Sequence, residues 1–198
     1  VILISKGANV QIEDSRGWTP LQTIASYGHK EAANYLVLKG AKLDIFSASF
    51  LGDKKVLEEK LNSDPQLIRA TKDSHTLLHM VSDEECAKLL IEKGADINAI
   101  SEQGLMPIHM SALRNFSNVT ETLIKNGADV NGTTYSGFTA LHFAAVISNN
   151  KTVKILIDNG ADINAAARGD VGNTALHKAA ESGNFNVVKQ LIENGAKI

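Results

Sequence analysis

The stretch from Gly137 to Gly160, GFTALHFAAVISNNKTVKILIDNG, decides the fold because variants of it return along the chain. Gly-Ala pairs fall at Gly7, Gly40, Gly94, Gly127, Gly160 and Gly195, so successive gaps are 33, 54, 33, 33 and 35 residues. A period in the low thirties marks a repeat array, in which each unit buries its apolar face only against its neighbours. Only the gap of 54 breaks step.

Working outward, the openings Thr19-Pro20-Leu21, Thr76-Leu77-Leu78-His79, Met106-Pro107-Ile108-His109 and Thr174-Ala175-Leu176-His177 match Thr139-Ala140-Leu141-His142. Thr before Pro at the first helical turn wastes no backbone donor. Ala32, Ala33, Leu36 and Val37 recur at helical spacing, and Gly40 ends that helix as a C-cap. Between Asp44 and Asp73 the opening is lost: Phe46 to Asp53 reads as a first helix, Lys54 to Asn62 as a second, and Asp64-Pro65 as its stop. The next unit reaches Gly94 in 18 residues where its siblings take 21, so three residues are missing around Ser82-Asp83. Gly160 to Thr174 spans 14 residues where Gly127 to Thr139 spans 12, which predicts a longer finger at Ala165 to Val171.

Thr-Pro-Leu-His-x-Ala-Ala, an aliphatic helix and then Gly-Ala-Asp-Ile-Asn-Ala, quoted by Thr139 to Ala145 and by Gly94 to Ala99, resemble the ankyrin repeat. The resemblance implies an all-α fold, an ankyrin-repeat α-solenoid of stacked helix-turn-helix units with hairpin-like finger loops and a concave binding face. One array over 1–198 is expected. It divides into a partial repeat (1–13), 14–43, a degenerate 44–71, a shortened 72–100, 101–132, 133–167 and 168–198. Val1 to Ile4 and Lys6 to Asn9 read as the last turn and exit of the partial repeat. Lys178 and Gln190, polar where sibling units have Met110 or Phe143 and Leu89 or Ile155, suggest that the last unit is a cap.

Twenty basic and 22 acidic side chains leave a net charge of −2, with no bulk attraction for phosphate backbones or anionic lipid. No apolar run approaches the ~20 residues that span a bilayer. A single cysteine, Cys86, has no internal disulfide partner. It aligns with Ala32, Val119, Thr152 and Val187 on an inward helix face, the setting of an inert thiol. A protein partner, no nucleic acid, no membrane insertion, a monomer and a cytoplasmic location are the expectations.

Chemistry is absent from the pattern. His79, His109, His142 and His177 recur one per repeat, too far apart to share a zinc ion with ligand bonds of about 2 Å. The resemblance implies that they bond to loop backbone. No nucleophilic triad, phosphate loop or paired carboxylate is evident, so no enzyme, cofactor or metal is expected. Asn115, Asn118, Asn131 and Asn150 fit the glycosylation pattern by coincidence, and Asn98, Asn131 and Asn164 are read as bridges for turn backbone.

Only positions that do not recur can encode a partner. On first helices these include Tyr27, Leu113, Arg114, Val146 and Ile147, and on fingers Trp18, Ile100, Leu105, Tyr135 and Phe138, with Arg168, Asp170 and Val171 at the last tip. Aromatic and Arg anchors amid aliphatics have the composition of an interface hot spot. Leu105, Phe138 and Trp18 have packing of the finger bases as their alternative. The functional expectation is a non-catalytic protein-binding module; the alternatives are a regulatory or substrate-recruiting segment of a larger enzyme and a dedicated inhibitor or immunity protein.

Overall fold

The computed structural model describes residues 9–168 and 172–198. The expected last turn at Val1 to Ile4, the exit from Lys6 to Ala8, and the finger positions Gly169, Asp170 and Val171 lie outside the described residues. Two compact units divide the chain, residues 1–95 and 96–198.

In the first unit the helices are α1 (Pro20–Ser26), α2 (Lys30–Leu38), α3 (Ile45–Leu51), α4 (Lys54–Ser63), α5 (Leu77–Met80) and α6 (Glu84–Glu92). Thr19 caps α1 with Pro20 following, and its box is closed by Gln22, whose side chain accepts from Thr19 N–H at 2.9 Å. Leu21, Ala33, Leu36 and Ala41 form the core under α1 and α2. Ala25, Phe50 and Met80 form a second core on which Trp18 packs. Ala32, expected inside, is exposed, and Ala33 takes the buried place one residue on.

The degenerate repeat folds as read, with Asp44 capping α3 and Asp53 capping α4. Pro65 opens a 3-10 turn, Pro65–Arg69, that sets Leu67 and Ile68 half-buried. Where a finger was expected, β1 (Thr71–Lys72) and β2 (His75–Thr76) pair antiparallel. Asp73 (φ 48°) and Ser74 (φ 62°) between them are both left-handed, as a two-residue hairpin turn demands. The missing residues around Ser82 leave α5 a four-residue turn of helix.

The second unit's described residues form helices in pairs: α7 (Pro107–Leu113) with α8 (Ser117–Lys125), α9 (Ala140–Val146) with α10 (Asn150–Asp158), and α11 (Ala175–Glu181) with α12 (Phe185–Glu193). First helices pack on first helices and second on second, α7 to α9 to α11 and α8 to α10 to α12. Ile108, Leu123, Leu141, Val153, Leu156, Val187 and Leu191 fill the layer between them. Each such side chain withdrawn from water contributes about 1.5–3 kcal/mol.

Two polar devices repeat along this unit. The N–H groups of Met106, Thr139 and Thr174 donate to Nδ1 of His109, His142 and His177 at 2.9, 3.1 and 3.3 Å. Nδ1 is therefore an acceptor, which leaves the proton on Nε2. Nε2–H of His109 donates to the carbonyl of Gly132 at 2.9 Å and that of His142 to Asn173 at 3.1 Å, each in the next finger. Asparagine supplies the second device. Asn131 donates to the Gly160 carbonyl (2.9 Å) and accepts from Asp162 N–H (2.7 Å), one repeat on. Asn98 makes the same pair with Gly127 and Asp129, and Asn164 with Gly195 and Lys197. The bridges thus join neighbouring repeats rather than one turn to itself.

Candidate functional site

The second unit's fingers stand in van der Waals contact. A Cβ on Gly104 would lie 2.6 Å from the Tyr135 nitrogen and 2.9 Å from its ring, so only glycine lets the two fingers close up. Arg168 N–H donates to the Ser136 carbonyl at 2.9 Å, tying the third finger to the second. Against that backing Tyr135 is 73% exposed and Ile100 56% exposed, while Val146 and Ile147, at the end of α9, are also exposed.

The other expected anchors are placed differently. Phe138 is half-buried, edge-on to His142 at 5.4 Å between centroids and tilted against Phe143 at 6.0 Å, with the Lys178 ammonium 5.4 Å from its ring centre. It holds the finger base to the helices, the alternative foreseen for it. Leu105 and Leu113 are half-buried. Arg114, at the C-cap of α7 where a cation suits the helix dipole, is half-buried, and desolvation pulls its pKa down. Its guanidinium is more a part of the repeat than a free hook.

Within the first unit, Trp18 turns inward. Its ring lies 5.9 Å from that of Phe50, its indole N–H donates to Asp73, and Arg16 and Lys72 stand over it at 5.4 and 5.8 Å. Tyr27 is exposed and stacks on His29 at 6.2 Å. A shallow cleft of about 430 Å³ is lined by Ile12, Asp14, Trp18, Pro20 and Ile24.

The described residues hold few titratable groups inside the stack. Among them no group of three His, Cys, Asp or Glu side chains converges on one point. Cys86 is buried, and desolvation pushes its pKa to about 12, so almost none is thiolate at neutral pH. Burial lowers the pKa of His109 and His142, and both ring nitrogens of each are engaged in holding the fold. A hollow of about 560 Å³ between α10 and α12 is lined by Lys151, Lys154, Ile157, Asp158, Gln190 and Asn194.

Sequence reasoning missed the strained turns beside Val146 and Ile147. The inter-helix turn is left-handed, with glycine at Gly28 (φ 75°) and Gly183 (φ 66°), but Asn115 and Ser148 occupy it at φ 63° in the middle repeats. Departure from Gly at that place was the signal. No helix among the described residues is long and apolar enough to cross a membrane.

The family model described as Ankyrin repeats (3 copies) matches residues 45–134, 77–167 and 132–198, and the model described as Ankyrin repeat matches residues 16–48. A protein of Rickettsia bellii (strain RML369-C) named as an ankyrin repeat protein is 27% identical over 133 residues, covering 61% of this chain and 39% of the relative. The chain thus spans about two fifths of the length of that curated relative. Ankyrin repeats are in general protein–protein interaction modules, typically without catalysis of their own. With family matches running from residue 16 to residue 198 over an all-α stack of helix pairs, the chain belongs to the ankyrin repeat family.

Proposed function

We propose that the chain is a non-catalytic binding module and that the fingers and first-helix ends of residues 96–198 grip a partner protein. Ile100, Leu105, Tyr135 and Phe138 stand on the fingers and Leu113, Arg114, Val146 and Ile147 on the helix ends. The observation that carries the reading is the exposure of Ile100, Tyr135, Val146 and Ile147, four large apolar side chains at positions that do not recur. Exposed apolar clusters on a soluble chain mark interaction surfaces. Phe138 and Arg114 would support these four from beneath. A full standard interface of about 800 Å² per partner would extend past them onto the polar finger tips.

Affinity capture from the native source, with the wild-type chain and a Tyr135→Ala, Ile147→Asp variant, tests it. The variant should fold, with a midpoint within a degree or two of wild type, and lose the partner. Capture unchanged by the two substitutions would remove the surface from consideration.

A further inference from the structure

Of the bridging asparagines Asn98, Asn131 and Asn164, Asn131 alone precedes a glycine; the others precede Ala99 and Ala165. Its surroundings force that glycine. A Cβ on Gly132 would lie 2.7 Å from Met106 Sδ and 3.3 Å from the Asp129 carbonyl oxygen, and sibling repeats have Thr139 and Thr174 where this one has Met106. With no side chain beside it, a glycine nitrogen is the backbone nitrogen best able to reach the amide carbon of the asparagine before it.

The fold holds the two reacting groups apart. Asn131 Nδ2 donates to the Gly160 carbonyl at 2.9 Å, its Oδ1 accepts from Asp162 N–H at 2.7 Å, and Gly132 N–H donates to the Asp129 carbonyl at 3.2 Å. Both side-chain bonds cross from the α7/α8 repeat to the α9/α10 repeat, so the Asn131 amide is released when that junction opens. The same junction carries a buried hydroxyl seam. Ser117 Oγ lies 2.8 Å from Thr152 Oγ1, Asn149 donates to both hydroxyls, and Ser111 bonds Thr120 at 2.8 Å. Between α10 and α12 the places of Thr120 and Thr152 hold the buried Val153 and Val187. A hydroxyl that loses its partner regains water, while an exposed valine loses its burial energy, so the α8/α10 seam opens at lower cost.

We propose that Asn131 is a self-modifying site whose reaction is gated by opening of the α8/α10 seam. The Gly132 nitrogen, giving its proton to solvent, bonds to Asn131 Cγ; the Cγ–Nδ2 bond breaks and the amide nitrogen leaves as ammonia. The resulting five-membered imide takes up one water at either carbonyl. That leaves aspartate at 131, or its isomer with the main chain routed through the side-chain carbon. Neither restores the connector. A carboxylate still accepts from Asp162 N–H but has no N–H for the Gly160 carbonyl, and it adds negative charge beside Asp129, whose carboxylate accepts the Asn131 N–H at 3.0 Å. The junction is then easier to open, and refolding does not reverse the change. Asn126, Asn159 and Asn194 also precede glycines but donate to carbonyls of their own helices, at 2.8, 2.7 and 2.8 Å, and so serve as internal controls.

Peptide mapping by mass spectrometry during incubation at neutral pH reads the amide-to-acid mass gain at each of these steps. Asn131 should convert in urea and on the order of tenfold more slowly in the folded chain. Ser117→Ala, which strips Thr152 and Asn149 of a partner, should speed conversion of Asn131 severalfold in the folded chain and leave Asn194 at its wild-type rate. Met106→Thr with Gly132→Ala, the sibling pairing, should slow conversion at 131 on the order of tenfold even in urea. Asn131→Asp should lower the unfolding midpoint. Equal rates at Asn131 in the folded and urea-unfolded chain overturn the proposal, as do a Ser117→Ala rate that does not rise, no slowing by the Thr-Ala pair, or an Asn131→Asp midpoint equal to wild type. Acceleration at all four steps alike in Ser117→Ala would assign the reaction to global unfolding and overturn it too.

Discussion

The two units use the same helix pairs but join their repeats differently. In the second unit one His and one Asn per repeat do the joining; the Asn bonds recur with the same atoms one period later, while His109 and His142 reach different places in the next finger, Gly132 and Asn173. In the first unit His79 keeps the box, accepting the Thr76 N–H at 3.2 Å, while other places carry different residues. Gln22 stands in the histidine's place, closes the same box on Thr19 and turns its amide to Asp44 instead of a finger carbonyl. Gln11, in the place of Asn98, reaches the Gly40 carbonyl at 3.2 Å. Ser49 bonds the Leu77 carbonyl (2.8 Å), Lys54 pairs with Glu85 (3.1 Å) and Lys93 donates to Asn62 (2.7 Å). The apolar layer therefore sets the stack, and the polar connectors can be exchanged provided that each buried donor and acceptor is met. Identical connectors also free the second unit's non-recurring positions from structural duty, and there Tyr135 and Ile147 stand exposed.

The sharpest way to break this contrast is at His142. His142→Ala orphans the Thr139 N–H and takes one of two donors from the Asn173 carbonyl, which keeps the Ala167 N–H, and should cost the second unit about 2–3 kcal/mol in urea unfolding. His142→Gln imports the first unit's solution: it keeps the cap but loses the reach to Asn173, and should cost roughly half as much. Equal losses for the two variants would mean that the cap contributes nothing.

Next in size is the response to pH. Burial lowers the folded-state pKa of His109 and His142 below the ~6.5 of the unfolded chain, so below that pH the unfolded state binds protons that the folded state refuses. Stability is full above about pH 6.5 and falls as pH drops from there through the folded-state values, by about 1.4 kcal/mol for each unit of depression. Urea titrations at pH 7.5 and 5.5 should show the loss, and replacing both His with Gln should flatten it.

A smaller effect sharpens the comparison of turns. Ser148 holds a left-handed conformation that Gly28 and Gly183 hold without strain. Ser148→Gly should raise stability by about 0.5–1 kcal/mol, read as a midpoint increase of a few degrees. A decrease would show that the Ser148 side chain makes a contact worth more than the strain.

The frame of the fold was legible because it recurs. Thr139, Leu141, His142, Ala144 and Gly160 have counterparts a period away, and the buried place of Cys86 followed from alignment alone. What does not recur was not legible. The partner of Trp18, Asp73, lies 55 residues on, in the turn between β1 and β2, which has no counterpart one period away among the described residues. Arg114 and Ile147 occupy equivalent places after their first helices, yet one is half-buried and the other exposed, because the neighbouring fingers differ. Nor was the direction of Lys178 and Gln190 legible: Lys178 lies over the Phe138 ring of the preceding repeat and Gln190 lines the hollow beside α10, placements that depend on helix phase and on the neighbour present.

One consequence concerns how this architecture absorbs changes in length. The last finger is pinned at three points: Asn164 grips the following turn, Ala167 N–H donates to the Asn173 carbonyl at 2.9 Å, and that carbonyl also takes the His142 proton. The two residues this finger has beyond its predecessor fall in the segment those pins enclose. A change in the number of residues between Ala167 and Asn173 thus leaves these pins, and with them the rotational phase of α11 against α9, in place, so the chain can be lengthened or trimmed there without re-registering the stack.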